Sequence, residues 1–234
     1  MTAPHRSTRA RPAKAPLSAE AVVSAGLRVL REEGLAAVTM RRVAAELDTG
    51  PASLYVYVAH REDLLLLLHD AVIATVPLQP VDAGRWRTQL ASTITAAVHA
   101  LNDHPGIGRV SLGRIPTGPA WAEMFDRILG LLLAAGLPRQ KAAWNCDLIA
   151  MYIGAVAYEA SIHDSPAAPP DPLQQAQDRR HADSGIEERL TALDPGRYPH
   201  LAASVTELTS GSAAERLANG IDVLITGMVG GSGG

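Results

Sequence analysis

Apolar residues recur along this chain at spacings of three and four, as in helices that bury one face. The first such run covers residues 18–32, with Val22, Val23, Gly26, Leu27 and Leu30 on one stripe and Gly34 just past it as a stop. Residues 39–58 then carry two shorter stripes separated by a break. In the first, Val43, Ala44 and Leu47 fall at i, i+1 and i+4 behind Thr39, whose hydroxyl can accept from a free N–H one turn on. Asp48, Thr49 and Gly50 interrupt the pattern, and Pro51 suits the first turn of a new helix, where a missing N–H costs nothing. Leu54 and Val58 make the second stripe, which leaves Ser53, Tyr55 and Tyr57 on other faces, with Ala52 too small to hold the backbone off a surface. Two short helices joined by a tight turn, the second carrying hydroxyls and small groups outward, suit base edges and phosphates in a DNA major groove.

Beyond the pair, Glu62 and Asp63 open a fourth helix running towards residue 76, where negative charge suits the helix dipole, and Pro77 and Pro80 close it. Helices follow at 86–99, with Leu90, Ile94 and Val98 in register, and at 119–135, 139–163 and 213–228. The stretch 102–119, rich in proline and glycine, reads as a loop with a short helix at 109–112, and order returns in shorter pieces at 186–193 and 198–208. The fold class is all-α. Its organisation is a basic arm (1–16), a helix-turn-helix unit (17–63), a larger helical domain (64–229) holding a mobile stretch at 164–184, and a flexible tail (230–234). Two broad apolar faces, Leu148, Ile149, Tyr152, Ala155 and Val156 on one helix and Leu217, Ile221, Leu224 and Ile225 on another, fit a subunit interface or an interior equally well.

Composition agrees with helices: Ala and Leu dominate a chain that is 47% apolar and only 4% aromatic. The net charge of −3 says little about partners, but its distribution does. Residues 1–61 hold nine Lys/Arg against five Asp/Glu (+4), and the remainder holds twelve against nineteen (−7). A basic N-terminal unit on an acidic body is the balance expected of a phosphate-facing module. Glu20 is the first acid, so Arg6, Arg9, Arg11 and Lys14 form an uncompensated arm that its prolines keep from being helical. That arm either tracks DNA phosphates or is a solvated tail.

The same inventory argues against other classes. The single Cys146 allows no internal disulfide and points to a reducing, cytoplasmic setting. The start is polar and proline-containing, without the apolar stretch of a cleavable signal, and the apolar tract 64–78 is broken by His69 and Asp70 and falls short of a membrane span. Cys146 has no histidine near it in sequence, and Glu159 with His163, or His99 and His104, lack the further ligands of a metal site. No phosphate loop or nucleophile elbow is present, so neither catalysis nor a cofactor or metal is expected.

Residues 17–68 resemble the DNA-binding domain of the tetracycline-repressor (TetR) family of one-component bacterial regulators. The resemblance is carried by Gly34-Leu35 and Thr39-Met40-Arg41, by Leu54-Tyr55-x-Tyr57-Val58, and by Arg61-Glu62-Asp63-Leu64-Leu65. The turn departs from the family, which usually has Gly and an apolar residue where this chain has Asp48 and Thr49. Asp tolerates the left-handed conformation better than most residues, so the turn can still form. Residues 193–199 (Leu-Asp-Pro-Gly-Arg-Tyr-Pro) and 219–228 (Asn-Gly-Ile-Asp-Val-Leu-Ile-Thr-Gly-Met) resemble the C-terminal half of the subgroup nearest the tetracycline repressor.

The resemblance implies a repressor that binds a palindromic operator as a homodimer through a four-helix interface and is released by a small-molecule effector. Carried over by position, it implies phosphate contacts for Thr39, Tyr55 and Arg61, and base contacts or close approach for Arg41, Thr49, Gly50, Pro51, Ala52, Ser53 and Tyr57. An effector pocket is expected under the fourth helix, with Trp86, His104, Met124, Trp144 and Asn145 as lining residues. The tetracycline repressor holds its drug's magnesium through a histidine before Leu-Gly. Here Ser111 precedes Leu112-Gly113, and a hydroxyl is a poor replacement for imidazole. The implied effector is therefore a largely apolar metabolite or antibiotic with one or two hydrogen-bonding groups, not a magnesium-chelated tetracycline. A competing reading keeps the fold but not the function: a helical ligand- or protein-binding module whose degenerate turn recognises no DNA sequence.

Overall fold

Caps and stops written into the sequence set the first helices. In a computed structural model describing residues 17–113, 115–163 and 186–230, the Ser18 hydroxyl accepts the Ala21 N–H at 3.2 Å and starts α1 (Ala19–Glu33). Gly34 ends it at φ 81°, donating its N–H to the Leu30 carbonyl at 3.0 Å, in a conformation that a Cβ would strain. Thr39 caps α2 (Met40–Glu46) in the same way, accepting the Arg42 N–H at 3.1 Å. The arm at 1–16, the stretch 164–184 and residues 231–234 lie outside the described residues.

The second member of the expected helix pair is not an α-helix. Residues Pro51–Val56 form a 3₁₀ segment, called here the recognition segment, with i→i+3 bonds from Ser53 to Gly50 at 3.0 Å and from Tyr57 to Leu54 at 2.9 Å. Six residues opening on proline are too few to nucleate a stable α-helix, and tighter 3₁₀ turns are commonly used in such short pieces. The buried stripe survives the change: Leu54 is fully buried and Val58 nearly so.

The expected fourth helix is α3 (Arg61–Ile73), and it belongs to both halves of the molecule. Near its middle Leu68 packs against Gly26 of α1, so closely that a Cβ there would lie 2.7 Å from a Leu68 methyl. Towards its end it packs on the body helices α4 (Trp86–Asn102), α5 (Arg109–Gly113) and α6 (Pro119–Ala134). α7 (Arg139–His163) lies across α4, α5 and α6. The short helices α8 (Ile186–Thr191), α9 (Pro199–Ala203) and α10 (Val205–Thr209) lead to α11 (Ala213–Gly230), which packs on α4. No strand occurs among the described residues, and no helix among them is long and apolar enough to cross a membrane.

The two long C-terminal helices correct the expected interface faces. On α7 the buried stripe is Ala142, Cys146, Ile149, Ile153 and Ala157, and on α11 it is Leu217, Ile221, Ile225 and Met228. Ile149, Leu217, Ile221 and Ile225 therefore fill the protomer's own core, with Tyr152, Val156 and Leu224 half-buried beside them. What α7 leaves outside is a second stripe, Trp144, Leu148 and Met151, at i, i+4 and i+7. A helix apolar on two sides has no single period to read, and the sequence alone assigns neither side to solvent.

Candidate nucleic-acid interface

The turn that departs from the family pattern closes without difficulty. Asp48 adopts φ 51°, the one positive φ of a non-glycine among the described residues, and its N–H reaches the Ala45 carbonyl at 3.0 Å. Thr49 follows with its N–H on the Ala44 carbonyl at 2.9 Å and its hydroxyl donating to Ser53 Oγ at 3.1 Å. The departure at Asp48 and Thr49 therefore leaves the turn between the two segments formed.

The side chains around this turn divide into an outward set and a bracing set. Gly50, Pro51, Ala52, Tyr55 and Val56 are exposed, and the space about Gly50 is open, so a partner backbone can approach closely. Arg41 is exposed, and among the described residues no carboxylate pairs with it. Its neighbour Arg42 is committed: it meets Glu33 at 2.6 Å and Glu46 at 3.0 Å, and Glu46 also takes Arg28 at 3.1 Å. Those two guanidiniums hold the Glu46 carboxyl below the usual carboxylate range. Ser53 is half-buried and accepts from Thr49, and Thr39 spends its lone pair on its own helix while keeping a hydroxyl proton free to donate.

Two of the residues expected at the DNA also brace the fold. The Tyr57 hydroxyl donates to the Leu17 carbonyl just ahead of α1. The Arg61 guanidinium donates to the carbonyls of Val38 at 2.7 Å and Leu35 at 2.8 Å, satisfying a short turn between α1 and α2. A planar fork reaching two carbonyls at once does what no backbone group nearby can do. Sequence spacing missed the converse case, Val56. An apolar residue beside a buried stripe reads as core, yet it is 81% exposed.

In the body, α3 is tied to α6 by an ion–dipole contact. α6 starts at Gly118, which offers no capping side chain, and Asp70 of α3 supplies one from outside. Its carboxylate accepts the N–H groups of Trp121 at 2.8 Å and Ala120 at 3.3 Å. A Cβ at position 118 would collide with that carboxylate, so only glycine admits it.

Next to Asp70, His69 is buried and its Nδ1 has no partner among the described residues; burial pushes the imidazole down to about 4, against the opposing pull of Asp70, so it is neutral at pH 7. Asn102 Oδ1 on α4 and Arg127 Nε on α6 are likewise buried without partners among the described residues. Of the expected effector residues, Met124 is buried, Trp86, His104 and Asn145 are half-buried, and His104 Nδ1 lies 3.0 Å from the Ala100 carbonyl. Trp144 does not face the interior: it is 67% exposed on the outer stripe of α7. Ser111 donates to the Gly108 carbonyl at 2.8 Å. The Cys146 thiol is buried and pushed up to about 12 by that burial, with Asp126 and Asp147 adding to the effect, which makes it unreactive.

Two family models match this chain. One, described as the tetracyclin repressor-like C-terminal domain, covers residues 79–230, and the other, bacterial regulatory proteins of the tetR family, covers residues 22–68. The chain belongs to the TetR family. This TetR-family regulator is 30% identical over 230 residues to the HTH-type transcriptional repressor DrrR1 of Streptomyces coeruleorubidus, covering 93% of this chain and 83% of that one. It is 29% identical over 163 residues to the class E tetracycline repressor protein of Escherichia coli, covering 66% of this chain and 77% of that one. Apo ActR from Streptomyces coelicolor superposes with a TM-score of 0.80 at 30% identity, covering 94% of this chain and 100% of that one, and ActR has also been solved in complex with actinorhodin. The fold is that of a transcriptional regulator with an N-terminal helix-turn-helix, not that of an enzyme.

Proposed function

We propose that this TetR-family protein is a cytoplasmic repressor that binds a palindromic operator as a homodimer and is released by a small molecule held in each body domain. The observation that carries the reading is the closed turn, which sets Gly50, Pro51, Ala52 and Tyr55 outward beside an exposed Arg41. Thr39 and Tyr55 are assigned to phosphates, Arg41 to a base edge, and Gly50, Pro51, Ala52, Thr49 and Ser53 to close approach. Tyr57 and Arg61 act behind them by holding the segment in place. The Trp144, Leu148 and Met151 stripe on α7, with Val223 exposed on α11, is assigned to the dimer contact. Two recognition segments related by a two-fold axis then meet half-sites one helical turn apart, about 10 base pairs.

The effector reading rests on three unmet buried polar atoms, one on each of three helices that pack on one another: His69 on α3, Asn102 on α4 and Arg127 on α6. Leaving such groups unsatisfied costs about 1–3 kcal/mol each, and a mostly apolar ligand with a few hydrogen-bonding groups would recover it. Trp86, Met124, His104 and Asn145 are kept as candidate walls. The actinorhodin complex of ActR supports a small-molecule effector for a chain of this shape. Because α3 carries Leu68 against α1 and Asp70 against α6, a ligand that shifts α6 moves the DNA-binding unit. Release requires that the ligand bind the DNA-incompetent arrangement more tightly.

The test is fluorescence anisotropy of the full chain on the duplex flanking its own gene against a scrambled duplex at physiological salt. Preference for the flanking duplex, reversed by actinorhodin without dependence on magnesium, is the expected result. Equal affinity for both duplexes overturns the DNA reading. Tetracycline release that EDTA abolishes overturns the reading of Ser111.

A further inference from the structure

We propose that Val56 is a specificity-determining residue that reads the C5-methyl group of a thymine in each operator half-site. The assignment rests on the repressor reading above and names what that reading leaves open, the kind of base edge the recognition segment can see.

At 81% exposure Val56 is the most exposed large apolar side chain among the described residues. It does not stand there by looseness of the backbone. Leu54 and Val58, on either side, are buried, and the Thr49–Ser53 and Tyr57–Leu17 hydrogen bonds pin the segment at both ends. The isopropyl group is therefore held outward at the surface that faces a groove.

What surrounds it decides its partner. Residues 50–59 contain no Arg, Lys, Asn, Gln, Asp or Glu. The side chains that read guanine or adenine bidentately, or accept from cytosine, are thus absent from the segment. Ser53 accepts from Thr49 and is half-buried, keeping one hydroxyl proton, and the half-buried Tyr57 donates its hydroxyl proton to Leu17. The outward groups that remain are the Pro51 ring, the Ala52 methyl, the Tyr55 ring and the Val56 isopropyl group. Of the features that base pairs present in the major groove, only the thymine methyl is apolar. The segment lies inside the stretch 22–68 that matches the tetR-family model, and in the repressor reading that unit faces DNA, which favours a nucleic acid over a second apolar protein surface as the occupant. Arg41, on α2, and the Ser53 hydroxyl proton are left to supply the hydrogen-bonded readout of the site.

The experiment uses the full-length protein and a random 30-base-pair duplex pool, from which a consensus is selected by repeated binding. Each thymine of that consensus is then replaced singly by deoxyuridine, which lacks only the methyl. The expected result is one position in each half-site where the replacement weakens binding about 4-fold, and about 15-fold when both half-sites are changed, the loss of one buried methyl per site. Val56→Ala, at so exposed a position, keeps its fold, keeps its affinity for scrambled duplex, and loses that sensitivity to deoxyuridine. Parent and substituted duplexes bound alike by the unmutated protein would overturn the assignment, as would sensitivity that persists in Val56→Ala. A Val56→Ala protein that sediments differently when free, with no deoxyuridine effect, would place a second copy of the chain on Val56 and overturn it too. A pool that enriches no sequence would overturn the repressor reading, and this assignment with it.

Discussion

On the recognition segment Val56 and Tyr55 stand 81% and 58% exposed; on α7 Trp144 and Met151 stand 67% and 51% exposed. Judged by exposure alone the two surfaces are equivalent. Their supports are not. The recognition segment is six residues of 3₁₀ turn and depends on neighbours: Thr49 on Ser53, Tyr57 on Leu17, and Arg61 on the turn that precedes α2. α7 has 25 residues of its own backbone hydrogen bonding and a buried inner stripe. Their charge settings differ as well: residues 17–61 balance five Lys/Arg against five Asp/Glu, while residues 62–234 carry −7. An apolar patch in an externally braced unit that carries no net negative charge suits the methyls of a groove. One on a long self-supporting helix in an acidic body suits another protein surface.

The largest effect should come from breaking the second surface. Met151→Asp places a charge where two stripes would meet, at a cost on the order of 3–5 kcal/mol if it is buried unpaired. Sedimentation should show monomers that retain their helical signal, with operator affinity collapsing because two half-sites no longer act together. Ile221→Asp provides the contrast. Ile221 is 4% exposed within the protomer, so that variant should unfold instead of dissociating. A Met151→Asp protein that stays dimeric would remove α7 from the interface.

That contrast also shows what was legible in the sequence. Helix ends were readable because local chemistry sets them: Ser18 and Thr39 as caps, Gly34 as a stop. The turn was readable once Asp48 was allowed its left-handed φ. Contacts across the fold were not. Nothing in the spacing says that Tyr57 reaches back 40 residues to Leu17, or that Arg61 serves the carbonyls of Val38 and Leu35. Both are polar residues near a groove-facing segment, and polarity alone suggests DNA. Likewise α7 has apolar side chains on two sides, and only packing shows that Ile149 lies inside while Trp144 lies outside.

The helix shared by the DNA-binding unit and the body, α3, offers a pH test. The folded pKa of His69 sits at about 4, below the 6.5 of an unperturbed imidazole, so protonation favours the unfolded chain. This contribution to stability is whole above pH 6.5 and is lost as the pH falls to 4, about 3 kcal/mol at roughly 1.4 kcal/mol per pH unit. His69→Leu should flatten that part of the profile in urea unfolding measured from pH 7.5 to 4.5. An unchanged slope would mean that His69 is not buried as neutral imidazole.

A smaller loss is expected at the α3–α6 tie. Asp70→Asn removes the charge from two N–H contacts at a helix N-terminus, and Gly118→Ala pushes the carboxylate away from them. Each should lower stability by about 2 kcal/mol, and the double variant should lose much less than the sum, since both break one contact. Additive losses in thermal unfolding would show two independent effects. If α3 is the link between the surfaces, Asp70→Asn should also bind operator while responding less to the effector.

The smallest effect should fall on the brace of the recognition segment. Tyr57→Phe keeps the half-buried ring but removes the hydroxyl that donates to Leu17. One such hydrogen bond contributes about 1 kcal/mol, so a segment that relies on it should show about a 5-fold weaker operator affinity. Because the hydroxyl is turned inward, affinity for scrambled duplex should fall with it, and the ratio of the two should stay nearly constant. A residue reading a base behaves differently: its loss lowers the ratio. Sedimentation of the dimer should not change, since α7 carries its own support. Anisotropy titrations with both duplexes separate the cases. An unchanged operator affinity would mean that the 3₁₀ segment stands without Tyr57 and is as self-supporting as α7.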